Sequence, residues 1–154
     1  MNEQIHQPTT DQLAEIEARC ACSNVRKAAR AVTQLFDEML QPTGLRSTQF
    51  TLLVAVARQR SAPMTQLSSM LVMDRTTLAR NLKPLESLGL LTVGKGTDRR
   101  RHLVRLTERG SQALARALPH WEQAQHQVIT RLGAAQWNML QASLQATMML
   151  AQPV

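Results

Sequence analysis

Nine lysines and arginines fall between positions 75 and 109, against three acids, Glu86, Asp98 and Glu108. That local excess of six is nearly all of the chain's formal charge of +7. The bases form two groups. Arg75, Arg80 and Lys83 share a polar stretch with Thr76, Thr77 and Asn81, opened by Asp74; Arg99, Arg100 and Arg101 follow Gly94 and Gly96, with Asp98 just before them. Cationic side chains at this density bind polyanions and release their condensed counterions. Arg, Thr and Asn also read base edges, by hydrogen bonds and by methyl contact with thymine. At helical spacing Arg75, Thr76, Arg80 and Lys83 can share a face, with Thr77 and Asn81 in an adjacent row. The chemistry on offer is recognition of double-stranded DNA.

Other chemistries find less support. No Gly-rich phosphate loop, HExxH motif or dense Ser/His/Asp grouping is present, so no enzyme is expected. The four histidines, His6, His102, His120 and His126, include no HxxxH pair, and the nearest two are six apart. A zinc site needs three or four converging ligands, so neither metal nor cofactor is expected. The only cysteines are Cys20 and Cys22. Two positions apart on one helix they would point about 200° away from each other and could not readily bridge. Cys20 falls on an apolar stripe and Cys22 off it, with Arg19 and Arg26 nearby. Small cysteines of this kind commonly just pack.

The elements that must position these residues follow from periodicity. With 154 residues and 44% apolar content, the chain can bury a core, made mostly of Leu, Ala, Val and Met because aromatics are only 3%. No apolar run approaches the ~20 residues that span a bilayer, and the first residues lack a secretion signal, so a cytoplasmic, membrane-free protein is expected. Apolar residues spaced by three and four from Asp11 to Leu40 predict one long amphipathic helix, stopped by Pro42 and Gly44. Ser47 is a candidate cap for a second helix burying Phe50, Leu53, Val54 and Ala57. Ser61-Ala62-Pro63 reads as a turn. Thr65 is expected to cap a short helix, 66–71, and Asp74 the next, with a kink at Pro84. Leu85, Leu88 and Leu90 are expected to pack. Two short helices joined by a tight turn, the second polar and basic, form a helix-turn-helix. Apolar runs 90–93 and 103–106 flank the Gly/Arg turn and predict a β-hairpin wing. Glu108 opens another long helix, interrupted by Gly133 before a last helix over 135–151.

The expected fold is therefore mainly α with a small β wing: a winged helix-turn-helix with long terminal dimerisation helices in one integrated domain. It divides into an N-terminal dimerisation helix (1–45), a DNA-binding lobe (46–108) and C-terminal dimerisation helices (109–154). Apolar stripes on the end helices have no evident partner within a small winged module. Pairing with a second copy would cover them and give a two-fold protein for a two-fold site.

These residues resemble the MarR family of regulators. The resemblance runs from the first helix through the last. Its most specific part is the wing motif D-x-R-x-x-x-x-x-L-T, here Asp98 through Leu106-Thr107, followed by Glu108-Arg109-Gly110. The stretch from Asp74 through Leu90 and Thr48-Gln49-Phe50-Thr51-Leu52-Leu53 also resemble the family. The resemblance implies a bacterial, obligate homodimer whose terminal helices pair and whose winged lobes enter major grooves of a palindromic operator. It implies repression relieved by a small, often aromatic, anion, and nominates Arg100 for the minor groove, oriented by Asp98. Arg26, Arg46, Phe50 and Trp121, with Cys22 beside them in sequence terms, are the candidate walls for an aromatic carboxylate effector. Two alternatives stay open. Some members sense oxidants through cysteine, which would engage Cys20 or Cys22, although this chain lacks the tyrosines that accompany such cysteines. The chain could also be an architectural DNA binder with no effector.

Overall fold

The computed structural model describes residues 7–59, 61–95 and 102–151, with the side chain of Lys95 excepted. The chain divides into two compact units, 1–34 and 35–154.

In the first unit the expected single helix is two. Helix α1 (Thr10–Arg19) opens with a capping box, in which the Thr9 hydroxyl accepts from Gln12 N–H and the Gln12 side chain accepts from Thr9 N–H. It ends at Cys20, whose backbone is extended (φ −64°, ψ 109°), and α2 (Ala21–Leu40) follows at once. The break leaves carbonyls short of partners. Cys20 N–H still bonds Ile16 O, and the Asn24 side-chain amide donates to Ala18 O at 3.0 Å. Leu13, Ile16, Val25 and Val32 all stand exposed on these helices.

The second unit holds the core. The end of α2 buries Leu40, and a short 3-10 turn, Gln41–Thr43, leads to α3 (Ser47–Gln59). Ser47 does not cap this helix. Arg46 does, its carbonyl accepting from Phe50 N–H while its own N–H donates to the Gln49 side chain; Ser47 N–H donates to Asp37 of α2 at 2.6 Å. Phe50, Leu52, Leu53, Ala55 and Val56 are buried, whereas Val54 is only half-buried.

Strand β1 (Ala62–Pro63), helix α4 (Met64–Met70), helix α5 (Arg75–Ser87), strands β2 (Leu91–Lys95) and β3 (His102–Leu106), and helices α6 (Glu108–Leu132) and α7 (Ala134–Met148) complete the unit, with a final 3-10 turn at Met149–Ala151. The stretch expected to be a turn at Ala62-Pro63 is a third strand. It pairs antiparallel with β3 (Ala62 opposite Val104), so the sheet order is β1-β3-β2. Proline fits there because an edge position demands no N–H. Thr65 does not cap α4 either: Pro63 holds that position, and the Thr65 carbonyl accepts the Ser68 and Ser69 hydroxyls.

Leu67, Leu78, Leu82, Leu85, Leu90, Leu91 and Val104 close the core beneath the sheet and against α3 and α6. Leu88, expected to pack, is exposed instead, because it caps α5 on the solvent side of the Leu85–Leu90 contact. Helices α5 and α6 run through Pro84 and Pro119 without ending. Helix α7 buries nothing, and Met139, Leu140, Leu144 and Met148 along it are exposed.

Candidate nucleic-acid interface

Helix α5 starts where the sequence places its cap. Asp74 sits in extended backbone, one carboxylate oxygen accepting Thr77 N–H at 2.8 Å and the other the Thr77 hydroxyl at 2.7 Å. The Thr77 hydroxyl first, and its N–H second, hold the Asp74 carboxyl below its ordinary value of 3.8. The helix dipole favours the same negative charge at this end.

Leu78, Leu82 and Leu85, one face of the helix, are sunk in the core. That anchoring leaves Arg75, Thr76, Arg80 and Lys83 exposed. Among the described residues no ion pair engages Arg75, Arg80 or Lys83. Thr77 and Asn81 are half-buried. Thr77 donates into the cap, and the Asn81 amide donates to Met73 Sδ at 3.8 Å, so both brace the start of the helix. The wing residues Asp98, Arg99, Arg100 and Arg101 lie outside the described residues.

The turn before α5 is built on an unusual residue. Met73 N–H bonds Ser68 O and Val72 N–H bonds Ser69 O, closing α4 in a Schellman-type turn. The left-handed position is held by Val72 at φ +51°, where helices ordinarily place glycine. At the other end α5 closes by the same pattern with glycine: Gly89 (φ +67°) donates to Glu86 O and Leu90 to Leu85 O.

That end is locked to the rest of the lobe. The Thr107 hydroxyl donates to Gly89 O at 2.7 Å and accepts from Gly110 N–H at 3.0 Å, while Thr107 N–H donates to Leu90 O at 3.1 Å. A side chain at Gly110 would collide with the Leu90 carbonyl. Glu86 on α5 accepts Val93 N–H from β2 at 3.2 Å. The segment Leu106-Thr107-Glu108-Arg109-Gly110 thus joins recognition helix, wing and α6. Sequence reading registered it as a motif and missed its mechanical role, which a threonine directly before an acid and a helical apolar period signals as an N-cap. Beside α5 a groove of about 530 Å³ runs between Arg75 and Thr76 on one side and Val93 and His102 of the wing strands on the other.

The effector candidates divide between the units. Phe50 is 5% exposed and its ring stacks on that of Trp121, centroids 6.2 Å apart and planes 18° from parallel. This pair ties α3 to α6, and Arg46 is exposed one turn before Phe50. Cys22 and Arg26 are exposed on α2 in the first unit. Cys20 is partly buried at the helix break. Cys20 lies between the two helices, so the helical i,i+2 spacing expected from sequence does not describe the pair. Among the described residues no three His, Cys, Asp or Glu side chains gather as a metal site, and no helix is long and apolar enough to cross a membrane.

Comparison with known proteins fits this geometry. Residues 45–110 match a family described as a winged helix DNA-binding domain. The structure of the M. tuberculosis transcriptional regulator MosR in complex with DNA superposes with a TM-score of 0.79 at 34% identity, covering 86% of this chain and 96% of that one. The chain belongs to the MarR family. As a MarR-type protein it is a DNA-binding transcriptional regulator. It is also 34% identical over 86 residues to an uncharacterized HTH-type transcriptional regulator of Bacillus subtilis, YwoH, a match covering 54% of this chain and 61% of that relative. An E. coli MarR mutant complexed with operator DNA shares the fold, with a TM-score of 0.77 at 21% identity over 86% of this chain and 96% of that one.

Proposed function

We propose that the protein is a homodimeric, sequence-specific, cytoplasmic repressor that grips a palindromic operator and leaves it when a small aromatic acid binds. The observation that carries this reading is the division of α5: Leu78, Leu82 and Leu85 fix the helix to the core, while Arg75, Thr76, Arg80 and Lys83 stand exposed on its surface, the three cations free of ion pairs among the described residues. Arg75, Arg80 and Lys83 take phosphates or guanine edges, and Thr76 meets a base edge or a thymine methyl. Thr77 and Asn81 reach DNA only with the part of their hydrogen-bonding capacity that the cap and Met73 leave over. Asp98 to Arg101 supply the wing contacts, Arg100 in the minor groove. Asp98 orients that arginine through a bidentate pair.

The bare apolar faces of α1, α2 and α7 support the dimer, since each exposed Leu or Ile brought into an interface contributes about 1.5–3 kcal/mol. For the effector, Arg46 offers a guanidinium to a carboxylate near the Phe50–Trp121 pair. Binding shifts the population between two spacings of the recognition helices, one of which matches successive major grooves. The first-helix continuity expected from sequence does not support this coupling, because α1 ends at Cys20.

The break at Cys20 favours one second reading, an oxidant-responsive regulator. A hydroperoxide would take two electrons from the Cys20 and Cys22 thiols, forming one S–S bond and leaving as alcohol and water.

Fluorescence anisotropy on a labelled promoter fragment tests both. The effector reading expects release by one of a panel of aromatic acids and indifference to peroxide; release by peroxide alone, abolished in Cys20→Ser, transfers the function to the thiols. Salt-sensitive binding without sequence preference would contradict both readings and leave an architectural binder.

A further inference from the structure

A second cavity, of about 860 Å³, opens between the end of α4, the turn after it and the C-terminal end of α7. Its walls include Met70, Val72, Met73, Met148 and Met149, so half of the chain's eight methionines meet there. The volume is that of a small-molecule site, roughly 300–1,000 Å³. Thioethers on flexible stems adapt to apolar shapes.

The polar groups at the cavity narrow the ligand class. Among the described residues no charged side chain lines it. The hydroxyls of Ser68 and Ser69 at its edge both donate to Thr65 O, at 2.9 and 3.1 Å, so their protons are committed within α4. The exposed amide of Gln145 is the remaining polar group. An ionised ligand would lose water here and find no counter-charge.

Val72 supplies an independent observation. A β-branched residue is held in left-handed backbone where glycine would be relaxed, and its side chain is 54% exposed. Strained residues of this kind concentrate at functional sites. What valine adds over glycine at this position is an apolar wall for the cavity. The neighbouring wall residue, Met73, accepts from Asn81 of the recognition helix and directly precedes its cap, Asp74. An occupant touching Val72 and Met73 therefore bears on the start of α5.

We propose that this cavity is an effector site for an uncharged, mainly apolar molecule with a single hydrogen-bonding oxygen, taken up by Gln145, and that its occupancy weakens operator binding. The regulatory half rests on the function proposed above; the ligand class does not. The site is separate from the aromatic-acid candidates.

The test uses the full chain and two probes that share a ring system and differ in charge, naphthol and naphthoate, titrated by calorimetry and then added to operator-bound protein. Met70→Glu and Val72→Glu place a charge in the wall at exposed positions that neither the core nor the proposed dimer face uses. Arg46→Ala removes the cationic candidate elsewhere. In Arg46→Ala, which lacks the acid candidate, naphthol is expected to bind at least roughly ten-fold tighter than naphthoate and as tightly as it binds the unsubstituted chain, and to lose about that factor in both glutamate variants. It is expected to lower operator affinity in the unsubstituted protein and not in Met70→Glu. Equal or tighter binding of naphthoate by Arg46→Ala, unchanged naphthol affinity in the glutamate variants, or operator affinity indifferent to bound naphthol each overturns the proposal. Protein that ignores promoter DNA before any probe is added defeats the regulator reading instead, so the two failures are told apart.

Discussion

Asp74 and Gly110 show how single residues set the recognition helix. The Thr77 hydroxyl and N–H favour the ionised Asp74 carboxylate, so its native value lies below the ordinary 3.8. A carboxyl depressed by folding contributes stability that is complete above 3.8 and disappears as pH falls through the lower native value. Asp74→Asn keeps an acceptor for the cap and loses the titration. Thermal melts of this variant are expected to match the parent near neutral pH and to depend less on pH below 3.8; identical acid sensitivity would remove Asp74 from the account. Gly110→Ala pushes a methyl into the Leu90 carbonyl and is expected to destabilise by about 1–3 kcal/mol in urea titrations. The Asp74 cap was legible because it acts over three residues. Thr77's second bond and the Asn81–Met73 contact were not, because they depend on rotamers and on a turn whose shape residue types do not announce. The caps expected at Ser47 and Thr65 failed for the same reason: Asp37 and β1 arrive from outside the local window.

At the scale of elements, α3, α5, the hairpin and the two long C-terminal helices follow from periodicity, with Gly89 and Gly133 marking their stops. Two features escaped it. The apolar spacing of three and four continues through Cys20, with neither glycine nor proline to mark the break, and a distant-looking side chain, Asn24, satisfies the Ala18 carbonyl. Strand β1 is two residues long and exists only because β3 lies alongside to pair with it. The helix-turn-helix turn carries an expectation of its own. Relaxing left-handed Val72 by Val72→Gly is expected to stabilise the fold by about 1 kcal/mol, read as a higher denaturant midpoint. A lower midpoint would show that the turn is not strained.

For the whole molecule the consequence of the proposed dimer is electrostatic and symmetric. Two lobes, each with Arg75, Arg80 and Lys83, would make at least six phosphate contacts, so operator affinity is expected to fall roughly a thousand-fold or more between about 50 and 200 mM salt. Within that steep dependence Arg100→Ala is expected to lose about 1–3 kcal/mol of operator binding, measured by anisotropy; full affinity would take Arg100 off the contact surface. The charge asymmetry that announces this function is plain in the sequence, whereas the methionine cavity is not, because its walls come from segments some seventy residues apart.

Hydroxyl-radical footprinting on the promoter fragment, with the complex's mass measured in parallel, tests the central claim most directly. Two protein chains on one duplex and two protected patches about 10 bp apart, centre to centre, are the expected result. One chain bound to a single protected patch would contradict the account.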